Sequence, residues 1–392
     1  MKHAGLLAAL FLGALALRPQ LVGVGPLVSD IDSDLDVSHA VAGLLGTIPV
    51  LCMGLFAPPA AYLAGRLGTR VAIGACLAGI AGFGLIRAAA PGAPPVLALT
   101  FPIGLGMGLA GALMPVAVKE RFADRPAFAS GVYTTGIQVG STLSSALAVP
   151  IAAAWGGWRS ALAVFSASTI LLFAAWMLLT PPSRDHERAA PPRLPWRRGL
   201  VWGLVVVFAL QSTVYYGLVA WMPDSFQERG WSEEAAGALL AVMSLAAVPS
   251  GLLLPFFADR IGSRRQWLGL TSSVILVAAI GVAALPDAGF AWAVLAGSGI
   301  GAMFPLTLTL PVDIAHEPAG TGAVVGLMLG AGYTIAAVGP ILLGAVRDAT
   351  GSFATSLWLL VALAAALVAA ILPLSPRRLR PPARLPAEAL AP

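Results

Sequence analysis

Long apolar runs, separated by short polar segments, dominate the chain from one end to the other. A helical run of about 20 apolar residues is long enough to cross the roughly 30 Å hydrocarbon core of a bilayer. The sequence contains twelve such runs, so we predict an all-α integral membrane protein with twelve transmembrane helices. The predicted spans are 4–28, 40–64, 71–89, 95–117, 127–150, 159–180, 199–222, 234–257, 267–285, 290–311, 319–343 and 353–374.

A polar segment after the sixth run divides the twelve spans into two sets of six. We therefore predict an N-terminal six-helix bundle over 1–180, a linker over 181–198, a C-terminal six-helix bundle over 199–374 and a tail over 375–392. The linker and the tail are predicted to be cytoplasmic from the charge distribution described below.

An internal repeat relates the two sets. A shift of 194 residues aligns the loop after the second span with the loop after the eighth, matching Ala64, Arg66, Gly68 and Arg70 with Ala258, Arg260, Gly262 and Arg264. A shift of 190 residues matches Gly111 and Pro115 with Gly301 and Pro305. Parallel repeats of this kind form two bundles with a substrate site between them near the bilayer midplane.

Composition supports a membrane protein and excludes a soluble one. Hydrophobic residues make up 58% of the chain and charged residues only 10%, whereas soluble domains carry about 25% charged residues. The two cysteines, Cys52 and Cys76, fall inside apolar runs and are predicted to be small buried hydrophobes. The bilayer must therefore be the solvent for most of the chain.

The distribution of basic residues predicts the orientation. Of the 23 Lys and Arg residues, eighteen fall on the side of the N-terminus and Arg18 falls within the first span. The four on the other side are Arg87, Arg159, Arg229 and Arg347. By the positive-inside rule, both termini are predicted to be cytoplasmic in a multi-pass protein of the cell inner membrane. Topology thus explains the net charge of +5 without a nucleic-acid partner.

Arg18 is the only ionisable residue that the sequence places deep within a span. A charge at the bilayer centre costs at least about 2.5–3.5 kcal/mol unless it faces water or a partner. No Asp or Glu occurs at a similar depth, so we predict that Arg18 is the central anion-binding residue. The alternative is a structural arginine that bonds backbone carbonyls freed by the kink at Pro19.

Other polar residues at a similar depth are candidate substrate-binding residues. They are Thr134 and Gln138 in the fifth span, Gln211 and Tyr215 in the seventh, and Tyr333 in the eleventh. Helical spacing places Gln211 and Tyr215 on one face. The alternative for each residue is a hydrogen bond between helices, a common role for polar side chains in membranes.

A basic loop between the eighth and ninth spans is a candidate gate. Its sequence, Asp259-Arg260-Ile261-Gly262-Ser263-Arg264-Arg265, resembles the signature loop of the major facilitator superfamily. The first-half counterpart contains Arg66 and Arg70 but lacks the acid. We predict gating roles for Asp259, Arg260, Arg66 and Arg70; the alternative is that these basic loops only set the topology.

Several segments resemble one branch of that superfamily, the cyanate/nitroimidazole (CynX/NimT-type) transporters. Leu17-Arg18-Pro19 followed by Val24-Gly25-Pro26-Leu27 is similar to the first helix of the branch, and Ser130-Gly131-Val132-Tyr133-Thr134-Thr135 is similar to its fifth. The resemblance implies the major facilitator fold and transport of cyanate-like anions, nitroheterocycles or small organic acids. Ala16 stands where the branch usually has Asn, so the resemblance does not choose among these substrates.

The predicted activity is secondary transport by alternating access. The prediction includes no cofactor, no metal and no catalysis, because the four histidines lack ligand-like spacing. The predicted partners are an anionic small molecule and membrane lipid, and the predicted state is a monomer. A uniporter or exchanger is favoured over a proton symporter, which stays open. The alternatives are a drug efflux pump with a broad hydrophobic cavity and a membrane sensor that transports nothing.

Overall fold

The computed structural model describes residues 2–37, 39–182, 195, 197–315 and 318–374. Most of the linker predicted over 181–198 and the whole tail predicted over 375–392 lie outside the described residues. Within the described ranges, the regular secondary structure is helical throughout.

The described residues form eight α-helices in the first half and seven in the second. The first half contains α1 Lys2–Leu15, α2 Pro19–Val22, α3 Val28–Leu35, α4 His39–Leu55, α5 Ala60–Ala89, α6 Ala93–Arg121, α7 Pro126–Trp155 and α8 Trp158–Leu179. The second contains α9 Gly199–Gln227, α10 Glu233–Ala258, α11 Arg264–Ala284, α12 Gly289–Ile314, α13 Pro318–Ala336, α14 Val338–Thr350 and α15 Phe353–Ile371. Short 3₁₀ turns occur at Gly25–Leu27 and Pro286–Ala288.

The described part of the chain has eleven helical segments long and apolar enough to cross a membrane, together with a shorter apolar helix over Leu44–Leu55. The predicted second and third spans account for the difference from twelve. The second span is divided between α4 and the first turns of α5, while the third forms the rest of α5. The two parts of α5 meet at a kink at Gly68, whose φ is 73° and ψ is 153°.

Three predicted spans are interrupted where the sequence analysis expected continuous helices. The first breaks between α1 and α2, the second at 56–59 and the eleventh at Ala337. Each break lies at or just before a proline, namely Pro19, Pro58 or Pro340. Proline has no N–H for the helical ladder and its ring crowds the preceding turn. The backbone therefore leaves the helix at these three places.

The backbone also shows the repeat between the halves. Gly68 and Gly262, which the shift of 194 residues aligns, have φ values of 73° and 76°. Both therefore adopt a left-handed conformation that side-chain-bearing residues rarely enter. The same turn, made by the same residue type, thus follows the second and the eighth spans.

Glycines bring α1 into close contact with α7. A Cβ atom added to Gly136 would collide with the carbonyl oxygen of Phe11, and one added to Gly140 would collide with that of Leu15. Such small residues let helix backbones approach closely in membranes. This contact fixes the end of α1 against α7, next to the break that contains Arg18.

Candidate functional site

A cavity of about 460 Å³, including the space that opens to solvent, lies between the two halves. The first half contributes Leu17, Arg18, Met53, Met107, Gly108, Gly111, Tyr133 and Ile137 to its wall, and the second contributes Phe304, Leu308, Leu329 and Tyr333. Its wall is mostly apolar and carries a few polar groups, as the walls of small-molecule sites do. Arg18 is the one charged residue among those that line it.

The break between α1 and α2 positions Arg18 on the wall. Arg18 precedes Pro19, the first residue of α2, and its φ of −112° departs from helical geometry. The guanidinium of Arg18 lies close to the side chain of Tyr333, and its Nη1 atom lies 3.8 Å from Met53 Sδ. These neutral partners leave the positive charge available to a ligand.

Four of the chain's five tyrosines surround this guanidinium or line the same cavity. Tyr133 and Tyr333 belong to the wall, and Tyr215 and Tyr216 lie within electrostatic range of Arg18. The rings of Tyr215 and Tyr216 are 5.1 Å apart in an edge-to-face contact. The sequence analysis did not include Tyr133 and Tyr216 among the candidate site residues. A tyrosine within an apolar run is nevertheless a usable sequence signal for a cavity.

The structure brings together only some of the predicted site residues. Arg18 and Tyr333 line the cavity, and Tyr215 lies near Arg18 without being among the lining residues. Thr134, Gln138 and Gln211 are not among the lining residues either. The Thr134 hydroxyl donates to the Ser130 carbonyl of its own helix at 2.9 Å. Gln211 Oε1 accepts a 2.7 Å hydrogen bond from Thr307, so this amide joins α9 to α12.

Arg87 is a buried arginine near the end of the third predicted span, whereas Arg18 lies deep within the first. The sequence analysis placed Arg87 on the outward side, because it falls near the end of the third span. In the structure its side chain is 0% exposed. Its guanidinium donates to Thr100 Oγ1 at 3.1 Å and to Gln20 Oε1 at 2.7 Å.

Several contacts join the two halves at the end of the bundle that carries Arg66, Arg70, Lys119, Arg260 and Arg264, here called the basic end. Lys119 Nζ donates to the Val312 carbonyl at 2.8 Å. Phe128 and Phe256 stack edge to face with ring centroids 5.4 Å apart. A Cβ atom added to Gly322 would lie 2.8 Å from that of Ala61. The halves are thus closely packed at the basic end.

Asp259 makes the most extensive of these contacts. Its carboxylate accepts hydrogen bonds from the backbone N–H groups of Ala127 at 3.2 Å and Phe128 at 2.7 Å. Both groups belong to the first turn of α7, where unpaired N–H groups and the helix dipole favour an anion. Asp259 also pairs with Arg264 at 2.6 Å. A second-half carboxylate therefore caps a first-half helix.

The other predicted gating residues make contacts within their own halves. Arg66 stacks on Tyr62, with 4.9 Å between the guanidinium carbon and the ring centroid, and Arg260 stacks on Phe256 at 3.5 Å. Arg70 donates to the Met177 carbonyl at 2.7 Å. Arg264, which the sequence analysis did not propose for the gate, binds Asp259 as well as Asp313.

We expect Gly111→Val to weaken ligand binding about tenfold without unfolding the protein. Gly111 lines the cavity, and a Cβ atom added there meets no atom within 4 Å, so the new side chain would occupy ligand space. Forcing groups into occupied space costs about 1–3 kcal/mol, which corresponds to roughly tenfold in affinity. Titration of purified protein with a nitroheterocycle would measure the effect.

Gly79→Val is the matched control for that substitution. Gly79 also has open space around an added Cβ, but it is not among the residues that line the cavity. Equal affinities in the two variants would show that the cavity around Gly111 is not the binding site.

Comparison with known proteins supplies the family. The sequence profile of the Major Facilitator Superfamily matches residues 9–340 and again residues 226–390. The chain belongs to the Major Facilitator Superfamily. It is 31% identical over 362 residues to the 2-nitroimidazole transporter of Escherichia coli (strain K12), covering 90% of each chain. It is also 31% identical over 351 residues to the cyanate transport protein CynX of the same organism, covering 89% of this chain and 91% of the relative.

A solved structure shows the same fold. The proton:xylose symporter XylE superposes with a TM-score of 0.78 over 93% of this chain and 94% of its own, at 15% sequence identity. These findings confirm the resemblance to the CynX/NimT-type branch and the predicted fold of two six-helix bundles. The chain is accordingly a multi-pass membrane transporter of a small molecule rather than an enzyme.

Proposed function

We propose that this transporter moves a small solute with an anionic or strongly dipolar head group across the cell inner membrane, and that Arg18 binds that head group. The observation that carries the proposal is a fixed guanidinium on a cavity wall that contains no acidic residue. A guanidinium stays protonated at any relevant pH and presents a planar fork of donors. Carboxylate, nitro and cyanate groups all offer acceptor atoms to such a fork.

The rest of the wall favours a substrate with an apolar or aromatic body behind that head group. Apolar side chains on the wall cannot replace the water around a fully hydrophilic ion. They are those of Met53, Met107, Ile137, Phe304 and Leu308. Phe304 and the tyrosine rings offer edges and faces for contact with a flat ring. A nitroheterocycle or a small aromatic acid fits this combination better than bare cyanate does. One relative is named for 2-nitroimidazole, which belongs to the favoured class.

The proposed mechanism is alternating access between the halves, with the basic end on the cytoplasmic side. The positive-inside rule supports that orientation and cytoplasmic termini, and the contacts of Asp259 then close the cytoplasmic path to Arg18. Arg260, Arg66 and Arg70 would support the gate from within each half. The proposal also includes domain boundaries at 180, 198 and 374. It further includes a monomeric state and a surrounding shell of lipid.

Uniport or exchange fits the cavity better than proton symport. A proton-coupled carrier commonly titrates a carboxylate within the membrane, and the residues that line this cavity include none. The binding of an anion would instead neutralise Arg18 and change the relative stability of the states open to either side.

A drug efflux pump is the second candidate, because most of the cavity wall is apolar and includes two flexible methionines, Met53 and Met107. Methionine-rich surfaces adapt to varied ligands. Arg18 opposes this reading for lipophilic cations, which it would repel.

A thermal-shift screen of the purified protein tests the proposal. The panel contains cyanate, benzoate, 2-nitroimidazole and the lipophilic cation tetraphenylphosphonium. We expect benzoate or 2-nitroimidazole to raise the melting temperature more than cyanate does, because specific binding stabilises the folded state. Uptake of the stabilising compound into proteoliposomes should follow. Stabilisation by tetraphenylphosphonium alone would overturn the proposal and support efflux.

A further inference from the structure

The buried guanidinium of Arg87 has no role in the transport cycle described so far, although its burial is costly. It lies two residues before the end of α5 and is 0% exposed. Its hydrogen-bond acceptors are all neutral: Thr100 Oγ1 at 3.1 Å, the Gln20 carbonyl at 3.2 Å and Gln20 Oε1 at 2.7 Å. Burial of a charge without an opposite charge disfavours folding. A leucine or methionine would fill the same space without that penalty.

The hydrogen-bond acceptors of Arg87 show which segment of the chain it binds. Two of the three belong to Gln20, which lies two residues after Arg18 in the short helix α2. The side chains of Arg18 and Gln20 contact different parts of the protein. Arg18 reaches the cavity, whereas Gln20 is 0% exposed within the first half. Arg87 therefore binds the segment that carries Arg18 from behind.

Gln20 is in turn fixed to α8. Its amide nitrogen donates to the Leu162 carbonyl at 3.0 Å and to Ser166 Oγ at 2.7 Å. Gly84, one turn before Arg87, leaves room for this arrangement: a Cβ atom added there would collide with Ser166 Oγ and lie 3.3 Å from the Gln20 amide. Helices α2, α5, α6 and α8 thus meet in one buried polar cluster of Gln20, Arg87, Thr100 and Ser166.

The break before α2 explains why the segment needs such support. At Leu17 the backbone follows a tighter turn, with its N–H bonded to the Ala14 carbonyl at 3.1 Å, and at Pro19 there is no N–H at all. The regular helical ladder therefore does not connect Arg18 to α1. Its position depends on contacts made by α2, of which the bonds between Gln20 and Arg87 are buried and charge-assisted.

We propose that Arg87 is a positioning residue for substrate binding: by holding Gln20, it fixes the Arg18 guanidinium at the place in the cavity where the head group of the substrate binds. This inference rests on the proposed function for its effect on affinity. The position of Arg18 itself can be measured independently of the natural substrate.

Arg87→Met and Arg87→Lys form the decisive pair of variants. Methionine fills the space without donors, whereas lysine keeps the charge and can still donate to Gln20. We expect Arg87→Met to weaken 2-nitroimidazole binding about tenfold, since a misplacement of about 1 Å can cost up to roughly 100-fold. Arg87→Lys should restore most of the affinity. We expect only a small change in the melting temperature of Arg87→Met, because removal of a costly buried charge offsets the loss of the donor to the buried oxygens of Gln20 and Thr100.

A reporter cysteine supplies a readout that needs no substrate. Leu17 lines the cavity beside Arg18, so Leu17→Cys, in a background with Cys52→Ala and Cys76→Ala, can be labelled with the anionic reagent sulfonatoethyl methanethiosulfonate. Arg18 should attract this reagent, and Arg18→Gln should slow labelling several-fold. Arg87→Met should slow it similarly, and Arg87→Lys should not. Gly84→Ala, which displaces Gln20 without removing a charge, should resemble Arg87→Met.

The outcomes separate this inference from the proposed function. Normal labelling and normal affinity in Arg87→Met, with a lowered melting temperature, would overturn the positioning role and leave a structural one. Slowed labelling in Arg87→Met, with no binding of 2-nitroimidazole by the unmodified protein, would support the positioning role and contradict the proposed substrate class.

Discussion

Replacing Arg18 with Gln is expected to weaken binding of 2-nitroimidazole or benzoate at least about 30-fold, while the protein still folds and inserts into the membrane. Removing one partner of a buried, hydrogen-bonded charge pair costs about 2–5 kcal/mol, and each 1.4 kcal/mol is tenfold in affinity. Folding should survive, because the partners of Arg18 in the empty protein, Tyr333 and Met53, are neutral. Ligand titration and proteoliposome uptake measure the effect.

Two further variants serve as controls. One keeps the charge at position 18, and the other removes an arginine elsewhere in the protein. Arg18→Lys keeps the charge but loses the planar fork, so it should bind the ligand with intermediate affinity. Arg159→Gln removes an arginine that pairs with Asp34 at 3.2 Å and is one-third exposed, so it should bind normally. Unchanged uptake in Arg18→Gln would refute the central role of this residue.

The place of Arg18 on the cavity wall could be predicted from the sequence, because the evidence for it lies in the neighbouring residues of the same span. Arg18 lies among apolar residues, too deep in the bilayer for its side chain to extend to the water on either side. A charge at that depth requires a water-filled cavity or a partner. The break at Pro19 that presents it could also be anticipated, since the sequence reads Arg18-Pro19.

Arg87 could not be predicted in the same way, because its burial depends on residues distant in the chain. Its position near the end of an apolar run indicates an interface, where arginine side chains normally reach water. Only the folded protein shows that Gln20 and Thr100 bind it in the interior. Thr134 and Gln211 illustrate the reverse case: their depth suggested a cavity, but their hydroxyl and amide groups are hydrogen-bonded within or between helices.

The helix breaks could likewise be predicted only in part from the sequence. Proline interrupts α-helices at Pro19 and Pro58, yet Pro49 lies inside α4 and Pro115 lies inside α6. Neighbouring helices and side chains in a membrane protein can satisfy the backbone groups that a proline frees. Whether a proline breaks or only bends a span is therefore decided by packing, which hydropathy does not record.

Replacing Asp259 with Ala is expected to open the basic end of the transporter. The substitution removes both hydrogen bonds to the first turn of α7 and the ion pair with Arg264. A buried pair of this kind costs about 3–5 kcal/mol when one partner is lost. Because the α7 contacts exist only while the halves are together, a large share of that cost falls on the closed state and should shift the equilibrium by at least about tenfold.

Accessibility of the interface between the halves measures that shift. Ala61 packs against Gly322 at the basic end, so Ala61→Cys, in the background without Cys52 and Cys76, should react with a water-soluble maleimide faster when Asp259 is replaced. Asp313→Asn is the matched control, because Asp313 binds the same Arg264 at 2.9 Å but joins α12 to α11 within one half. Faster labelling in both variants would show that Arg264, rather than the capping of α7 by Asp259, holds the gate closed. Unchanged labelling in the Asp259→Ala variant would show that Lys119 and the packing of Phe128 on Phe256 suffice to keep the halves together.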